Sequence, residues 1–396
     1  MANTFNLGNG SWAQKTEKLL AYNAENDNYK PLPFDFDRAS TATRVNRDGL
    51  IETVATDEPR IDFLNNTNGH LLLEPSRQNI ITYSEFDSAN PNNWQTGFGT
   101  GTFSYDLVSY KSRPALKQRQ QTEGRSYKAQ NVTVSTSTTY TLSFYIDKAN
   151  SINIDDSDIV CAIISSDDIG FSSRNYGDAD ENNRINFTFT TDVDTSIQIR
   201  IGLGASGNQS GDKTLIFSMP QLETGSYATS YIPTSGSAVT RSAETCNGAG
   251  NSTVFNDSEG VLYAEIGALD DDLTFRVLSV SDGSNNNTVK FGYRSDSNRI
   301  YAEIRSGGSS QAFLSYDVTD ITDFNKVALK YKLNDFALWV NGTERATDTS
   351  GNTPIGLSKL SLDRGDGGND FYGKVKDVRV YNTALTDAEL IALTSG

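Results

Sequence analysis

Residues 336–342 read Phe-Ala-Leu-Trp-Val-Asn-Gly, and residues 373–386 read Gly-Lys-Val-Lys-Asp-Val-Arg-Val-Tyr-Asn-Thr-Ala-Leu-Thr. Side chains of a strand alternate between its two faces, so Leu338 and its second neighbours are expected on one face and Trp339 on the other. Asn-Gly at 341–342 tolerates the positive φ angles of a tight turn. These stretches therefore predict antiparallel β-structure near the end of the chain, with a hairpin at residue 341.

The C-terminal β-domain is expected to span residues 246–396. Further strand patterns occur at Val261-Leu-Tyr-Ala-Glu-Ile and at Lys326-Val-Ala-Leu-Lys-Tyr. After the last strand, Thr386 and Glu389 have the spacing of a capping box, which predicts a short closing helix.

A second β-domain is expected over residues 81–245. Apolar residues alternate there with polar ones, and turns rich in Asn, Asp, Ser and Gly separate the runs. Short alternating strands without intervening helices are typical of an antiparallel sandwich, here a jelly roll. The alternating residues are Leu142, Phe144, Ile146, Phe187, Phe189, Ile197, Ile199, Ile201, Leu215, Phe217 and Met219.

Residues 1–80 show little regular pattern and are expected to form an irregular N-terminal arm. Ser11 and Gln14 have the spacing of a capping box, which predicts one short helix continuing to Asn23. Pro31, Pro33 and Pro59 then interrupt any longer element, and Arg38, Arg60, Arg77 and Glu74 are expected to form structural ion pairs. The predicted fold class is all-β, with two antiparallel sandwiches behind an arm that serves attachment or assembly.

Composition excludes several classes of function. The 396 residues carry a formal charge of −16, which disfavours nucleic acids and anionic membranes as partners. No run approaches 18 consecutive apolar residues, so no membrane insertion is expected. The chain has one histidine, His70, and two cysteines, too few for the usual zinc sites. We expect His70 to be a packed or capping residue rather than a catalyst.

The expected compartment is unusual. The first residues contain no apolar stretch of the kind found in secretory signals. The abundance of Ser, Thr, Asn, Asp, Gly and Tyr is nevertheless typical of proteins that work outside cells. Cys161 and Cys246 lie in different expected domains, so no disulfide framework is expected. This combination favours a virus particle, and a fragment whose signal has been removed is the alternative.

Two resemblances extend this interpretation. The runs at 336–342 and 373–386 resemble the laminin-G-like, concanavalin A-like sandwich superfamily. The runs at 38–52, 58–63 and 69–79 are similar to a module of bacteriophage structural proteins, which recurs in tail fibres and other virion appendages. In those proteins a carbohydrate-binding-like jelly roll typically follows, ending much like the Pro-Gln-Leu-Glu-Thr-Gly run that begins at Pro220. The resemblance implies a virion protein and a homo-oligomer, expected to be a trimer.

The candidate glycan-binding residues are Trp339, Tyr301, Arg305 and Arg364. Sugar rings stack on aromatic faces while their hydroxyls bind polar groups. Strand alternation turns Trp339 and Tyr301 away from the apolar faces of their strands, and Arg305 shares the face of Tyr301. Burial of Trp339 beneath a loop or a neighbouring domain is an equally good interpretation.

A calcium site is a further hypothesis, although no cofactor is required. Asp363, Asp366, Asn369 and Asp370 lie in one glycine-rich loop, and hard cations prefer several oxygen ligands. Solvated acidic side chains are the simpler interpretation in so acidic a chain. Catalysis is not expected, because the E-x-D-x-x-E strand of sandwich glycosidases does not occur in the sequence.

The functional prediction is therefore a non-enzymatic subunit of a phage appendage, located in the virion. It would adhere to host-surface or environmental glycans, assemble with itself, and contact other virion proteins through residues 1–80. A purely structural capsid decoration or connector protein is one alternative, and a polysaccharide depolymerase is another. Head or tail attachment and the identity of the glycan stay open at this stage.

Overall fold

A computed structural model describes residues 5–21, 33–99, 101–165, 170–205 and 207–395. It divides the chain into two compact units. Unit 1 contains residues 1–49, 53–75 and 242–396, and unit 2 contains residues 50–52 and 76–241. Unit 2 thus lies close to the expected boundaries of the jelly roll. Most of the expected arm, however, groups with the C-terminal sandwich instead of standing apart.

The regular secondary structure of the described residues consists almost entirely of strands, which confirms the predicted all-β class. In chain order the strands are β1 (Phe5–Gly8), β2 (Ala13–Lys15), β3 (Lys18–Leu20), β4 (Phe34–Asp37), β5 (Ala42–Val45), β6 (Ile51–Val54), β7 (Ile61–Asp62), β8 (His70–Leu73), β9 (Arg77–Asn79), β10 (Gln95–Phe98), β11 (Phe103–Tyr110), β12 (Arg113–Gln120), β13 (Ser126–Thr133), β14 (Thr139–Ile146), β15 (Ile159–Ser165), β16 (Gly170–Asn175), β17 (Arg184–Thr190), β18 (Ser196–Ile201), β19 (Lys213–Thr224), β20 (Val239–Arg241), β21 (Thr245–Asn247), β22 (Glu259–Ala268), β23 (Arg276–Ser281), β24 (Thr288–Tyr293), β25 (Arg299–Ser306), β26 (Ser309–Asp317), β27 (Asn325–Lys332), β28 (Asp335–Val340), β29 (Thr343–Asp348), β30 (Lys359–Ser361) and β31 (Gly373–Tyr381). A 3-10 turn at Tyr176–Asp178 and a helix α1 at Asp387–Thr394 complete the described secondary structure. Among the residues described, no helix has the length and apolar character needed to cross a membrane.

The helix predicted over residues 11–23 is wrong for the described part, which ends at residue 21. There β2 and β3 form an antiparallel hairpin in which Lys15 pairs with Lys18. Glu17 in the turn has φ 64°, a left-handed conformation that a helix cannot contain. The match to a capping box involved only two side chains, and no apolar face of helical period supported it.

Unit 2 is a sandwich of two five-stranded antiparallel sheets. Their strand orders are β10-β13-β18-β15-β16 and β11-β12-β19-β14-β17. All the alternating residues predicted for this domain lie in one apolar core, except Met219. Met219 is buried but has φ 54°, and the register between β14 and β19 shifts beside it, at Ser143 to Tyr145. This bulge breaks the two-residue period, which a simple alternation cannot anticipate.

Unit 1 is built around an eight-stranded and a five-stranded antiparallel sheet. The first has the order β29-β28-β27-β22-β31-β8-β7, with β1 also paired to β31, and the second has the order β26-β25-β24-β23-β30. A smaller sheet, β2-β3-β4-β21, belongs to the same unit. One large apolar cluster contains Leu338, Val378 and Ile300, together with Phe5 and Leu71 from the N-terminal part of the chain.

Three N-terminal strands, β1, β7 and β8, complete the eight-stranded sheet, and two of them pair directly with β31. Strand β31 pairs with β22 along one edge. Along its other edge it pairs with β1 from Val378 and its neighbours, and with β8 from Gly373 to Val375. Without β1 and β8, β31 would become an edge strand with unpaired backbone groups along this side. The N-terminal segment, by which we mean the residues of unit 1 up to residue 75, is thus an integral part of the C-terminal sandwich.

A buried ion cluster ties the same parts of the chain together. The side chains of Arg38, Arg60 and Glu244 are 0% exposed. One Glu244 oxygen accepts from Arg38 Nη1 at 2.8 Å and from Arg60 Nε at 2.8 Å. Its other oxygen accepts from Arg60 Nη2 and from the Glu74 backbone N–H. Arg60 also donates to the Glu74 carboxylate at 2.8 Å, so one ion pair is present within the group of residues expected to form them.

Burial alone would lower the pKa of Arg60, but Glu244 and Glu74 hold that pKa above its ordinary value. The remaining guanidinium hydrogens of Arg38 and Arg60 bind backbone carbonyls, including Ser40 and Thr43. Each charge in the cluster is therefore both paired and hydrogen-bonded, which is the condition for placing ions in a protein interior.

The predicted C-terminal features are present. Asn341 and Gly342 have φ 50° and 79° and connect β28 to β29. Helix α1 begins after Thr386, whose backbone N–H donates to the Glu389 carboxylate at 2.9 Å, as in a capping box. The two cysteines are buried free thiols.

We predict that Glu244→Gln destabilises unit 1 by about 3–5 kcal/mol, because it removes the buried negative charge that Arg38 and Arg60 share. The matched control is Asp317→Asn, which removes the carboxylate of an arginine pair whose aspartate side chain is 61% exposed. That control is expected to have little effect on stability, because solvent screens an exposed ion pair. Chemical unfolding of both variants tests the difference, and equal effects would contradict the role given to Glu244.

Candidate functional site

Three of the four predicted glycan-binding residues lie on one surface of unit 1. Tyr301 and Arg305 are on β25, and Arg364 follows β30. Burial lowers the pKa of Lys290, and the nearby positive charges of Arg305 and Arg364 lower it further. Both arginines therefore lie close to Lys290. The fourth residue, Trp339, lies on β28 in the other large sheet.

The surface that unites these residues is the side of the five-stranded sheet turned away from the core. Ile300, Ala302 and Ile304 of β25 point into the core, so Tyr301 and Glu303, which alternate with them, point outward. Strand pairing places Ser279, Lys290, Glu303 and Phe313 side by side across four strands. We call this surface the polar face, and its members are Ser279, Thr288, Lys290, Arg294, Tyr301, Glu303, Arg305, Phe313 and Arg364.

Glu303 is the electrostatic centre of the polar face. Lys290 Nζ lies 3.0 Å from one oxygen of its carboxylate, and Arg305 Nη1 donates to the other at 2.9 Å. Burial alone would raise the pKa of Glu303, but Lys290 and the hydrogen bonds from both cations hold it below its ordinary value. Arg305 Nε also donates to the backbone carbonyl of Asn285 at 2.9 Å. These contacts fix Arg305 with part of its guanidinium facing solvent.

An aromatic platform adjoins these charges. The Tyr301 and Phe313 rings are stacked, with centroids 6.0 Å apart and an interplanar angle of 22°. The Arg294 guanidinium lies 5.1 Å from the Phe313 centroid, 5.4 Å from Tyr301 and 5.4 Å from Phe275. Phe313 is 47% exposed, whereas Tyr301 is only 5% exposed. Phe313 and Arg294 thus form an outer layer supported by the buried tyrosine.

Unpaired hydroxyl groups lie beneath this outer layer. The Ser279 and Thr288 hydroxyl oxygens are buried and have no hydrogen-bond partner in the structure. Both residues neighbour the charged row, Ser279 beside Lys290 and Thr288 beside Arg305. Buried hydroxyls are normally hydrogen-bonded, so these two hydroxyl groups are available to form hydrogen bonds with a ligand.

Sequence reasoning missed Phe313, Arg294 and Lys290. The same alternation that selected Tyr301 would have selected Phe313, because its neighbours Ala312 and Leu314 are buried in the core. Arg294 gave no such signal, since it follows the end of β24 and only the fold brings it over the two rings.

The structure corrects the expectation that Trp339 faces an open surface. The alternation was right, because Leu338 lies in the main core and Trp339 points to the other side of the sheet. Helix α1 covers that side, and Trp339 packs against Leu385 and Leu390 with 4% of its surface exposed. The closing helix was predicted, but its position over β28 could not be read from the sequence.

The predicted calcium ligands are engaged separately. Both Asp366 oxygens bind the Arg364 guanidinium, at 2.9 and 3.0 Å, and the Asp370 carboxylate accepts from the Tyr372 hydroxyl at 3.2 Å. Burial, with the nearby acids Asp370 and Asp366, raises the pKa of Asp363. Asn369 lies in the same loop with φ 57°. Over the described parts of the chain, no three His, Cys, Asp or Glu side chains form a group that could hold a metal ion.

His70 is packed inside unit 1. It is 3% exposed, and its ring meets the Phe324 ring edge-on at 5.6 Å. Burial, together with Lys374, Lys376 and Arg60, lowers the pKa of His70 to about 3. The imidazole is therefore neutral at ordinary pH and out of contact with solvent.

Comparisons with known proteins agree with this architecture. Residues 262–391, about a third of the chain, match the model of the concanavalin A-like lectin/glucanases superfamily. The C-terminal part of unit 1 is therefore a concanavalin A-like β-sandwich. No curated protein matches the sequence.

Solved structures similar to this chain include the carbohydrate-binding module of the Ruminococcus gnavus IT-sialidase, which is 22% identical, with a TM-score of 0.32, over 38% of this chain and 94% of that one. Domain 4 of an extracellular arabinanase from Geobacillus stearothermophilus, solved with arabinotriose, is 12% identical, with a TM-score of 0.31, over 43% of this chain and 84% of that one. Domains LG4-5 of the mouse laminin alpha1 chain are 9% identical, with a TM-score of 0.25, over 73% of this chain and 96% of that one.

We predict that Trp339→Ala lowers the stability of unit 1 by about 3–5 kcal/mol, as large-to-small changes in a packed core do. Any ligand affinity per folded molecule should be unchanged, because the polar face lies on the other sheet. Thermal melting alongside a binding measurement checks both statements. A variant that keeps its stability and loses binding would return Trp339 to the list of site residues.

A second prediction concerns pH. The pKa of His70 is about 6.5 in the unfolded chain, its ordinary value, whereas burial lowers that pKa to about 3 in the folded chain. The free energy of unfolding should therefore fall as the pH drops from about 6.5 toward 3, with a contribution from His70 of up to about 4 kcal/mol. His70→Gln should lack this contribution.

The measurement is the difference in unfolding free energy between the wild type and His70→Gln across that pH range. Since the chain has one histidine, its imidazole signal in a nuclear magnetic resonance titration is unambiguous. A folded-state titration near pH 6.5 would contradict the buried, neutral assignment.

Proposed function

We propose that this chain is a non-catalytic glycan-binding protein and that the polar face of unit 1 is its binding surface. The observation that carries the proposal is the exposed Phe313 ring, stacked on Tyr301 and flanked by Arg294. A sugar ring can stack on Phe313 while its hydroxyls reach Arg305 and Glu303. The match to a lectin and glucanase superfamily supports the same class of function.

The charges of the polar face favour acidic glycans. On β24 and β25 and directly after β24, Lys290, Arg294 and Arg305 bring three positive charges against one negative charge, that of Glu303. The loop that follows β30 brings Arg364 together with the acids Asp363, Asp366 and Asp370, so the positive excess lies on the β24 and β25 side of the polar face. Guanidinium groups bind carboxylate or sulfate groups through paired hydrogen bonds, so uronic or sulfated sugars are the preferred ligands.

The biological setting is the second part of the proposal. The resemblance of residues 38–79 to a module of phage structural proteins supports a place in the virion, as a fibre or capsid-surface subunit. Several identical copies, with a trimer as the simplest assembly, would turn weak individual sites into firm adhesion through a high effective concentration. Other virion proteins would attach to residues 1–80, at surfaces that the pairing of β1 and β8 with β31 does not occupy.

We predict that Phe313→Ala weakens binding of an acidic polysaccharide about tenfold or more. The estimate follows from base–aromatic stacking, where losing one ring costs about 1–3 kcal/mol. Arg305→Gln should also weaken binding and reduce its dependence on salt concentration. The matched control is Leu333→Ala, which removes another exposed apolar side chain, 58% exposed, from the same unit.

A glycan array followed by titration of acidic and neutral polysaccharides makes the measurement. Unchanged affinity of Phe313→Ala would contradict the polar face as the site. An absence of glycan binding by the wild type would favour the structural alternative, a capsid decoration or connector. Release of reducing ends from a bound polysaccharide would favour a depolymerase.

A further inference from the structure

A separate pocket of about 410 Å³ lies in the N-terminal part of unit 1. Its size is within the range of small-molecule sites. Its lining includes Trp12, Gln14, Arg47, Asp48, Ile61 and Phe63. The last four belong to the sequence runs that resemble the phage module. We call it the Trp12 pocket, and the polar face contributes no residue to it.

Trp12 forms a fixed aromatic wall of this pocket. Its indole N–H donates to the Asn68 backbone carbonyl at 2.9 Å. On the other side, a Cβ atom added to Gly8 would lie 3.0 Å from the Trp12 ring, so only glycine lets the ring lie this close to the backbone. Trp12 is partly buried, while the chain's other two tryptophans, Trp94 and Trp339, are buried. The ring is thus held in place without being fully covered.

A tight turn supplies the polar wall. The Asp48 backbone N–H donates to the Asn46 side chain at 3.0 Å, and the Gly49 N–H donates to the Asn46 carbonyl at 3.0 Å. This turn presents the exposed side chains of Arg47 and Asp48. The Arg47 guanidinium lies 4.7 Å from the Phe63 centroid, so a second aromatic ring orients it.

We propose that the Trp12 pocket binds one neutral sugar ring. A hydroxyl group both donates and accepts hydrogen bonds, so a neutral sugar needs donors and acceptors around one aromatic face. Arg47 is a donor, Asp48 is an acceptor, and the Gln14 amide is both. Arg44 and Arg47 also line the pocket, and their charges exceed that of Asp48 by one, so hydrogen bonding and stacking rather than charge select the ligand here. The Trp12 pocket is therefore a second carbohydrate site in addition to the polar face.

The test uses the full chain and a panel of methyl glycosides of neutral hexoses and N-acetylhexosamines. Because the other tryptophans are buried, a ligand in the pocket should change the fluorescence of Trp12 in a saturable way. Arg47→Ala and Asp48→Asn retain the fluorophore and should each weaken that binding about tenfold.

Phe313→Ala is the matched control, because it alters the polar face and leaves the Trp12 pocket intact. It should not change the fluorescence titration, so failure of either site can be recognised by itself. The proposal is overturned if no member of the panel gives a saturable change, or if Arg47→Ala and Asp48→Asn retain full affinity while folded. Loss of the signal in Phe313→Ala would also overturn it.

Discussion

The buried carboxylate of Glu244 links the N-terminal and C-terminal parts of unit 1. Arg38 and Arg60 both bind it, and both are completely removed from solvent. Burying two guanidinium groups is costly unless their charge is compensated, so neither part of the chain can adopt this arrangement alone. The pairing of β1 and β8 with β31 joins the same two parts of the chain. The N-terminal segment is thereby a structural component of the concanavalin A-like sandwich.

This construction determines where ligands can bind. The eight-stranded sheet has its outer side covered in part by α1, which buries Trp339. The five-stranded sheet keeps Phe313 exposed and its charged row partly accessible. Each of these sheets has one side in the core. The other side of the five-stranded sheet, the polar face, combines an exposed aromatic ring with charged groups that can form hydrogen bonds. The Trp12 pocket adds a smaller site that the N-terminal segment itself forms.

The sequence sufficed for features that depend on local periodicity. Alternation predicted the inward side of β25 and β28 and the outward direction of Tyr301, and the capping box predicted α1. Features that depend on distant pairing were not accessible in this way. Nothing near Glu244 indicates that Arg38, far away in sequence, is its partner, and nothing in the spacing of Arg294 places it over Phe313. Met219 shows a local limit as well, because a bulge changes the period without any glycine to mark it.

Native-state hydrogen exchange is the most direct test of the claim that the N-terminal segment belongs to the C-terminal sandwich. It measures the free energy at which individual backbone amides become exposed to solvent. The amides of β1 and β8 that bond to β31 are predicted to open with the same free energy as those between β22 and β31. Exchange of the β1 and β8 amides at a clearly lower free energy, with β22 and β31 still protected, would show a detachable arm and contradict the claim.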